Sequence, residues 1–335
     1  MTSTSPYRHQ SLVPTDRPLR IVFMGTPDFA VPTLKALIDS PHEVVAAYSQ
    51  PDRPKGRGKQ LQPTPVKAAA LAAGVPVCQP ERMTTREALE EFRSHNADLA
   101  VVIAYGKILR RRVLDVPPLG CINCHASLLP FYRGAAPIQW AIARGEAETG
   151  VTTMLMDEGM DTGDMLLKRA IPIADHEEAG SLHDRLSELS AELMLETLEA
   201  MLANTLTQTV QEHDSATYSP MIHKQDLQLD FRRPAQEVRN WLRALSPVPG
   251  ARALLPDKKI VKFYDTELDM SRSGEPGTVL EVTSDSVVIA CGEGALVAHS
   301  VQWPGRKRMS VSDYLRGRTF PEDVRFVSPE SPENS

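Results

Sequence analysis

Asn123 and His125 stand two residues apart in the stretch Cys121-Ile122-Asn123-Cys124-His125-Ala126-Ser127-Leu128-Leu129-Pro130. Read as a short strand entering a loop, that spacing puts the amide and the imidazole on one face. A carboxylate-rich turn, Asp157-Glu158-Gly159-Met160-Asp161-Thr162-Gly163-Asp164, follows the next strand and can reach the same sheet edge. The three types form a kit for acyl transfer. The amide donates to a developing oxyanion, the imidazole takes a proton, and the carboxylate orients the imidazole and stabilises its charge. A satisfied structural Asn–His pair has the same spacing. The kit needs no nucleophile from the chain: Ser127 lacks the Gly-x-Ser-x-Gly elbow, and the attacking group can belong to a substrate. An α-amine, titrating at about 7.7 to 8.0, suits a histidine base near neutral pH.

The same stretch also spells Cys121-x-x-Cys124-His125, the pattern of c-type haem attachment and, in part, of a redox or metal site. Three observations weigh against it. Covalent haem attachment requires export, and the first eighteen residues are polar, without the apolar region of a secretory signal. Four cysteines in 335 residues do not form a disulfide framework. On a strand, positions 121 and 124 point to opposite faces. Cys124, like Cys78 and Cys291, therefore reads as a small buried apolar residue, and no metal is expected. The turn after the first strand holds one glycine, Gly25, where a dinucleotide fingerprint needs three, and Gly56-Arg57-Gly58-Lys59 lacks the spacer and hydroxyl residue of a P-loop.

The elements that must position these residues follow a strand–helix alternation: strands near 19–23, 44–48, 75–78, 98–104, 121–125 and 151–156, with helices near 65–73, 84–94 and 136–144. Such alternation predicts an α/β unit with a parallel sheet that binds ligands beyond the carboxyl ends of its strands, where His125 falls. A helix over 181–202 carries Leu182, Leu186, Leu189 and Leu193 on one stripe. After a polar, aperiodic stretch come a helix at 235–245 and short strands near 259–264, 277–283, 286–290 and 296–301, the pattern of a small barrel. The expected division is an extension at 1–18, a catalytic domain at 19–203, a linker at 204–222, a barrel at 223–325 and a tail at 326–335.

The apolar fraction of 41% and charged fraction of 24% are those of ordinary globular enzymes. The longest apolar run, Leu99 to Tyr105, is too short to span a bilayer, and a cytoplasmic protein is expected. The net charge of −6 leaves room for local basic patches. One is Arg53, Lys55, Arg57 and Lys59 in a Gly/Pro-rich loop; the other is Arg306-Lys307-Arg308.

The string from Cys121 through Ser127-Leu128-Leu129-Pro130-Phe131-Tyr132-Arg133-Gly134 to Gln139 resembles the methionyl-tRNA formyltransferase family. Gly25 to Phe29, Gln50 to Pro54, Glu148 to Val151 and Met160 to Met165 are similar to it as well. The resemblance runs from about 19 to 320. It implies a Rossmann-like catalytic domain followed by an OB-like β-barrel, and a monomer that uses 10-formyltetrahydrofolate as formyl donor and charged initiator tRNA as acceptor. It implies Asn123, His125 and Asp161 as the catalytic trio, and Ser127, Leu128, Leu129 and Pro130 as part of the folate pocket. Arg57, with Lys55 and Lys59, matches a loop that contacts the tRNA acceptor arm, and Arg306, Lys307 and Arg308 lie in the domain that binds the tRNA body. Cys124 stands where an aliphatic residue is usual, and Phe231 where tryptophan is common.

Overall fold

The computed structural model describes residues 17–55, 60–321 and 324–329. They divide into two compact units. The first comprises residues up to Gly134, Thr149–Ile171 and His183–Ser219; the second comprises Ala135–Glu148, Pro172–Leu182 and the residues from Pro220 on.

The first unit is built on seven strands: β1 (Arg20–Gly25), β2 (Glu43–Tyr48), β3 (Val77–Cys78), β4 (Leu99–Ile103), β5 (Cys121–His125), β6 (Glu148–Leu155) and β7 (Met165–Pro172). Their spatial order is β7-β6-β5-β4-β1-β2-β3. β1 pairs in parallel with β2 and β4, β2 with β3, and β4 with β5. β6 runs antiparallel to β5, placing Thr152 opposite His125. The sheet is thus mostly parallel. β7 had no counterpart in the sequence reading, because its outer half sets Lys168 and Arg169 side by side, which breaks the apolar–polar alternation, and is only half buried.

Helices α1 (Val31–Asp39), α2 (Pro65–Ala72) and α3 (Arg86–Ser94) connect the strands. Thr64 and Thr85 accept from the backbone N–H groups of Lys67 and Ala88, so α2 and α3 start on satisfied caps. β1, β4 and β5 are buried almost throughout and β2 at Ala46, Ala47 and Tyr48, and Tyr48, Phe92, Val102 and Cys121 share one apolar cluster. No helix among the described residues is long and apolar enough to cross a membrane.

The second unit contains α4 (Pro137–Ala143) and α5 (Ala235–Leu245), whose Trp140 and Trp241 rings lie 5.4 Å apart. Its antiparallel sheet contains β8 (Ile260–Asp269), β9 (Val279–Val282), β10 (Val287–Ala290) and β11 (Ala295–Gln302). Short strands at Ala253–Leu254 and Met309–Ser310 flank it. Phe231, Phe263 and Phe326 meet in its core.

Three expected boundaries shift, each because a segment that reads as polar or terminal makes specific bonds. Arg17, expected in the extension, forms a bidentate ion pair with Asp98, while residues 1–16 lie outside the described residues. Residues 204–219, expected as linker, belong to the first unit: Thr209 bridges Met165, and Tyr218–Ser219 pair with Arg133–Gly134. Phe326, expected in the tail, is buried in the barrel core. Val327 bonds to Leu254 and Phe326 to Gly277, so this last segment bridges the two ends of the curled antiparallel sheet, a half-barrel.

Candidate active site

β5 delivers Asn123 and His125 because its main chain is laddered to β4 at Val102 and to β6 at Met154 and Thr152. Both side chains are largely enclosed, Asn123 being 9% and His125 7% exposed. His125 Nε2 lies 2.9 Å from the carbonyl oxygen of Tyr132. A carbonyl can only accept, so Nε2 carries the hydrogen and Nδ1 of the neutral ring keeps its lone pair. Nδ1 faces Asp161 Oδ2 at 3.7 Å. That separation is too long for a hydrogen bond but short enough to stabilise a ring that has taken a proton. The Asn123 amide has no hydrogen-bond partner among the described residues, which leaves its N–H groups available to an oxyanion.

Asp161 comes from the turn between β6 and β7. Its backbone is left-handed, with φ of 55°, and its Oδ2 accepts from Gly134 N–H at 2.8 Å. Asp157 braces the turn by accepting from Gly159 N–H at 3.0 Å and from the Thr162 hydroxyl at 2.6 Å. Gly163 is required where the turn rejoins the sheet: a Cβ there would sit 1.8 Å from the Leu155 carbonyl oxygen.

The loop after β5 is wound around Thr152. The Thr152 hydroxyl donates to Ser127 O at 2.7 Å and accepts from Leu129 N–H at 3.1 Å. The Ser127 hydroxyl donates to Phe131 O at 2.6 Å, Lys168 donates to Leu129 O at 3.2 Å, and Leu129–Pro130 is a cis peptide. Leu129 is buried against Met154 and Met165. Ser127 and Leu129 therefore shape the loop from within, and Leu128 and Pro130 keep accessible surface.

Cys121 and Cys124 are buried, and burial pushes both thiols up to about 12, which keeps them from acting as thiolate nucleophiles at neutral pH.

The basic residues of the sequence reading lie elsewhere. Arg53–Lys55 and Gln60–Gln62 pair as an antiparallel hairpin after β2, where the sequence reading had a loop. Its base is anchored by Asp52, which accepts from Lys67 at 2.6 Å and from Gln79 at 2.8 Å. The Lys67 hydrogen bond is the largest of the influences that hold the Asp52 carboxyl below its ordinary range. Arg57 and Lys59 lie outside the described residues, as does the Lys55 side chain. In the second unit, Arg306, Lys307 and Arg308 form the exposed turn between β11 and Met309–Ser310. Arg308 already has partners there, stacking over Tyr264 at 4.4 Å with Glu178 Oε1 at 3.8 Å.

Three contributors escaped the sequence reading: Arg133, Gln211 and Ser219, all buried around the loops that carry the trio. Only their types and the distant pairing of their segments mark them, and neither is periodic.

This fold is that of a formyl transferase. Residues 19–198 match the family model described as formyl transferase, and residues 221–319 the one described as formyl transferase, C-terminal domain. The chain is 50% identical over 299 residues to the methionyl-tRNA formyltransferase of Citrifermentans bemidjiense, an overlap covering 89% of this chain and 93% of the relative. It is 49% identical over 316 residues to that of Geobacter sulfurreducens, covering 94% and 99%. The chain belongs to the formyl transferase family, among its methionyl-tRNA formyltransferases. Among solved structures, HypX from Aquifex aeolicus in complex with tetrahydrofolic acid has the same fold at 18% identity and a TM-score of 0.59, over 89% of this chain and 47% of that longer one.

Proposed function

We propose that the chain transfers the formyl group of 10-formyltetrahydrofolate to the α-amino group of methionyl initiator tRNA, the acceptor used to start translation. In this reading it is a cytoplasmic monomer with no membrane partner and no metal. The observation that carries it is the orientation of His125: Nε2 is tied to a carbonyl, so Nδ1, beside Asp161, is the atom free to take a proton.

The amine nitrogen bonds to the formyl carbon, and the carbonyl oxygen becomes an oxyanion to which Asn123 donates. The amine proton passes to His125 Nδ1, and the Asp161 carboxylate stabilises the resulting imidazolium. Collapse breaks the carbon–nitrogen bond to the folate, whose nitrogen takes the proton, leaving formylated methionyl-tRNA and tetrahydrofolate. Leu128 and Pro130, on the loop shaped by Ser127 and Leu129, contribute to the folate pocket. Lys55, Arg57 and Lys59 contact the acceptor arm, and Arg306, Lys307 and Arg308 contact the tRNA body.

The test supplies 10-formyltetrahydrofolate together with water, a sugar amine, charged initiator tRNA or charged elongator tRNA. Initiator tRNA should be formylated fastest. Arg57→Ala should raise the KM for tRNA roughly tenfold, the loss of one charge-assisted contact, and leave folate binding unchanged. A sugar amine formylated in preference to tRNA, with Arg57→Ala silent, would replace this reading with that of a small-amine formyltransferase.

A further inference from the structure

Gln211 lies in the segment that reads as a linker, yet it is 2% exposed and every polar atom of its side chain is used. Its Nε2 donates to the carbonyl of Asp161 at 2.8 Å and to that of Gly163 at 2.7 Å. Its Oε1 accepts from Arg133 Nε at 3.1 Å and Nη2 at 2.7 Å. These partners fix which end of the amide is which: a guanidinium only donates and carbonyls only accept. Arg133 is itself 1% exposed, and its other described side-chain partner is His213 Nδ1 at 3.2 Å. A buried guanidinium thus holds one glutamine, and that glutamine grips the Asp161 turn on both sides of Thr162.

The same segment reaches His125. The Ser219 hydroxyl donates to the Tyr132 carbonyl at 3.0 Å, the oxygen that also accepts from His125 Nε2 at 2.9 Å. Thr217 receives Tyr132 N–H on its hydroxyl at 2.9 Å and Arg133 N–H on its carbonyl at 2.9 Å. Residues 209–219 therefore fix the far side of both the imidazole and the carboxylate. An Asp161 held at a left-handed φ of 55° needs such support, because that conformation is costly for a residue with a Cβ.

We propose that Gln211 is a positioning residue for formyl transfer: it holds Asp161 in the geometry that stabilises protonated His125, with Arg133 fixing the orientation of its amide. The proposal rests on the reaction given above. Gln211 touches neither reacting group; it acts through the backbone of the Asp161 turn, and its loss is felt as a displaced carboxylate.

The decisive variant is Gln211→Glu. A carboxylate still accepts from Arg133, so the buried guanidinium keeps its partner, but it cannot donate to the two carbonyls and repels them. Displacement of a catalytic group by about an ångström costs on the order of 100-fold. kcat should therefore fall between about 10- and 100-fold, with both KM values within about threefold. The cycle with Asp161→Asn separates positioning from general loosening. If Gln211 acts through the Asp161 carboxylate, Gln211→Glu should cost less than about threefold once that carboxylate is gone, because residues acting as a unit are non-additive. Equal factors in both backgrounds, or an unchanged kcat in the single variant, overturn the proposal. Gln211→Met, which fills the site without charge, carries the same cycle if Gln211→Glu does not fold. The imidazole 15N shifts of His125, read without substrate, should move in Gln211→Glu. That readout is independent of the acceptor: unmoved shifts overturn the positioning role, whereas moved shifts beside an enzyme that ignores methionyl-tRNA overturn only the functional reading.

Discussion

Asn123 and His125 are held by main chain, Asp161 by side chains, and the two halves of the site should fail differently. β5 lies between β4 and β6, and its ladder bonds set the face on which Asn123 and His125 stand. The Asp161 turn depends on Asp157 at its start, Gln211 across it and Gly163 at its exit. A ladder survives the loss of any one side chain; a turn held by two side chains and a glycine does not. The strand half takes its face from its own ladder, and remote residues reach it only through the Tyr132 carbonyl behind His125, while the loop half depends directly on a residue far from it in sequence.

The largest effect belongs to the strand half. Asn123→Ala removes an amide that no described residue uses, so the fold has nothing to lose beyond a small cavity, and the whole effect should appear in turnover. A lost oxyanion donor costs on the order of 100- to 1,000-fold in kcat. A single-turnover rate within fivefold of the parent would show that the amide donates to nothing in the transition state.

Asp161→Asn comes next and tests the loop half without moving it. The amide oxygen can still accept from Gly134 N–H, so the turn keeps its shape, but the charge 3.7 Å from His125 Nδ1 is gone. Because that charge acts across a hydrogen-bond-free gap, its loss should cost roughly 30- to 100-fold in kcat, less than the Asn123 amide. If Asp161→Asn and Asn123→Ala had their sizes reversed, the carboxylate would be relaying protons and not merely stabilising the imidazolium.

The asymmetry also explains what could be read from the sequence. The strand half was legible: β5 starts and ends where Cys121 and His125 predict, since a strand bounded by turns carries its period locally. The glycines on either side of Asp161 mark a turn, but its clasp could not be read, because Gln211 meets Asp161 from 50 residues away inside a stretch without periodicity. The barrel shows the same contrast. Its strands alternate visibly, but Phe326, the residue that completes the core, sits in a stretch whose prolines and charges read as a tail.

Cys124→Val separates the two halves most cleanly from the opposite side, by predicting almost nothing. Cys124 neighbours both Asn123 and His125 in sequence, yet strand alternation turns it to the other face of the sheet, where it is 3% exposed. Its thiol, pushed up to about 12 by burial, is a neutral apolar filler at working pH. A valine of similar size keeps the β5 ladder and suits a strand, so the change should cost less than about 1.5 kcal/mol in a denaturant titration. kcat should stay within about twofold, since the face that carries Asn123 and His125 is set by the main chain. A tenfold loss of turnover in a fully folded Cys124→Val protein would mean that packing behind β5, not its ladder, aims Asn123 and His125, and the strand half would then be as dependent on remote side chains as the loop.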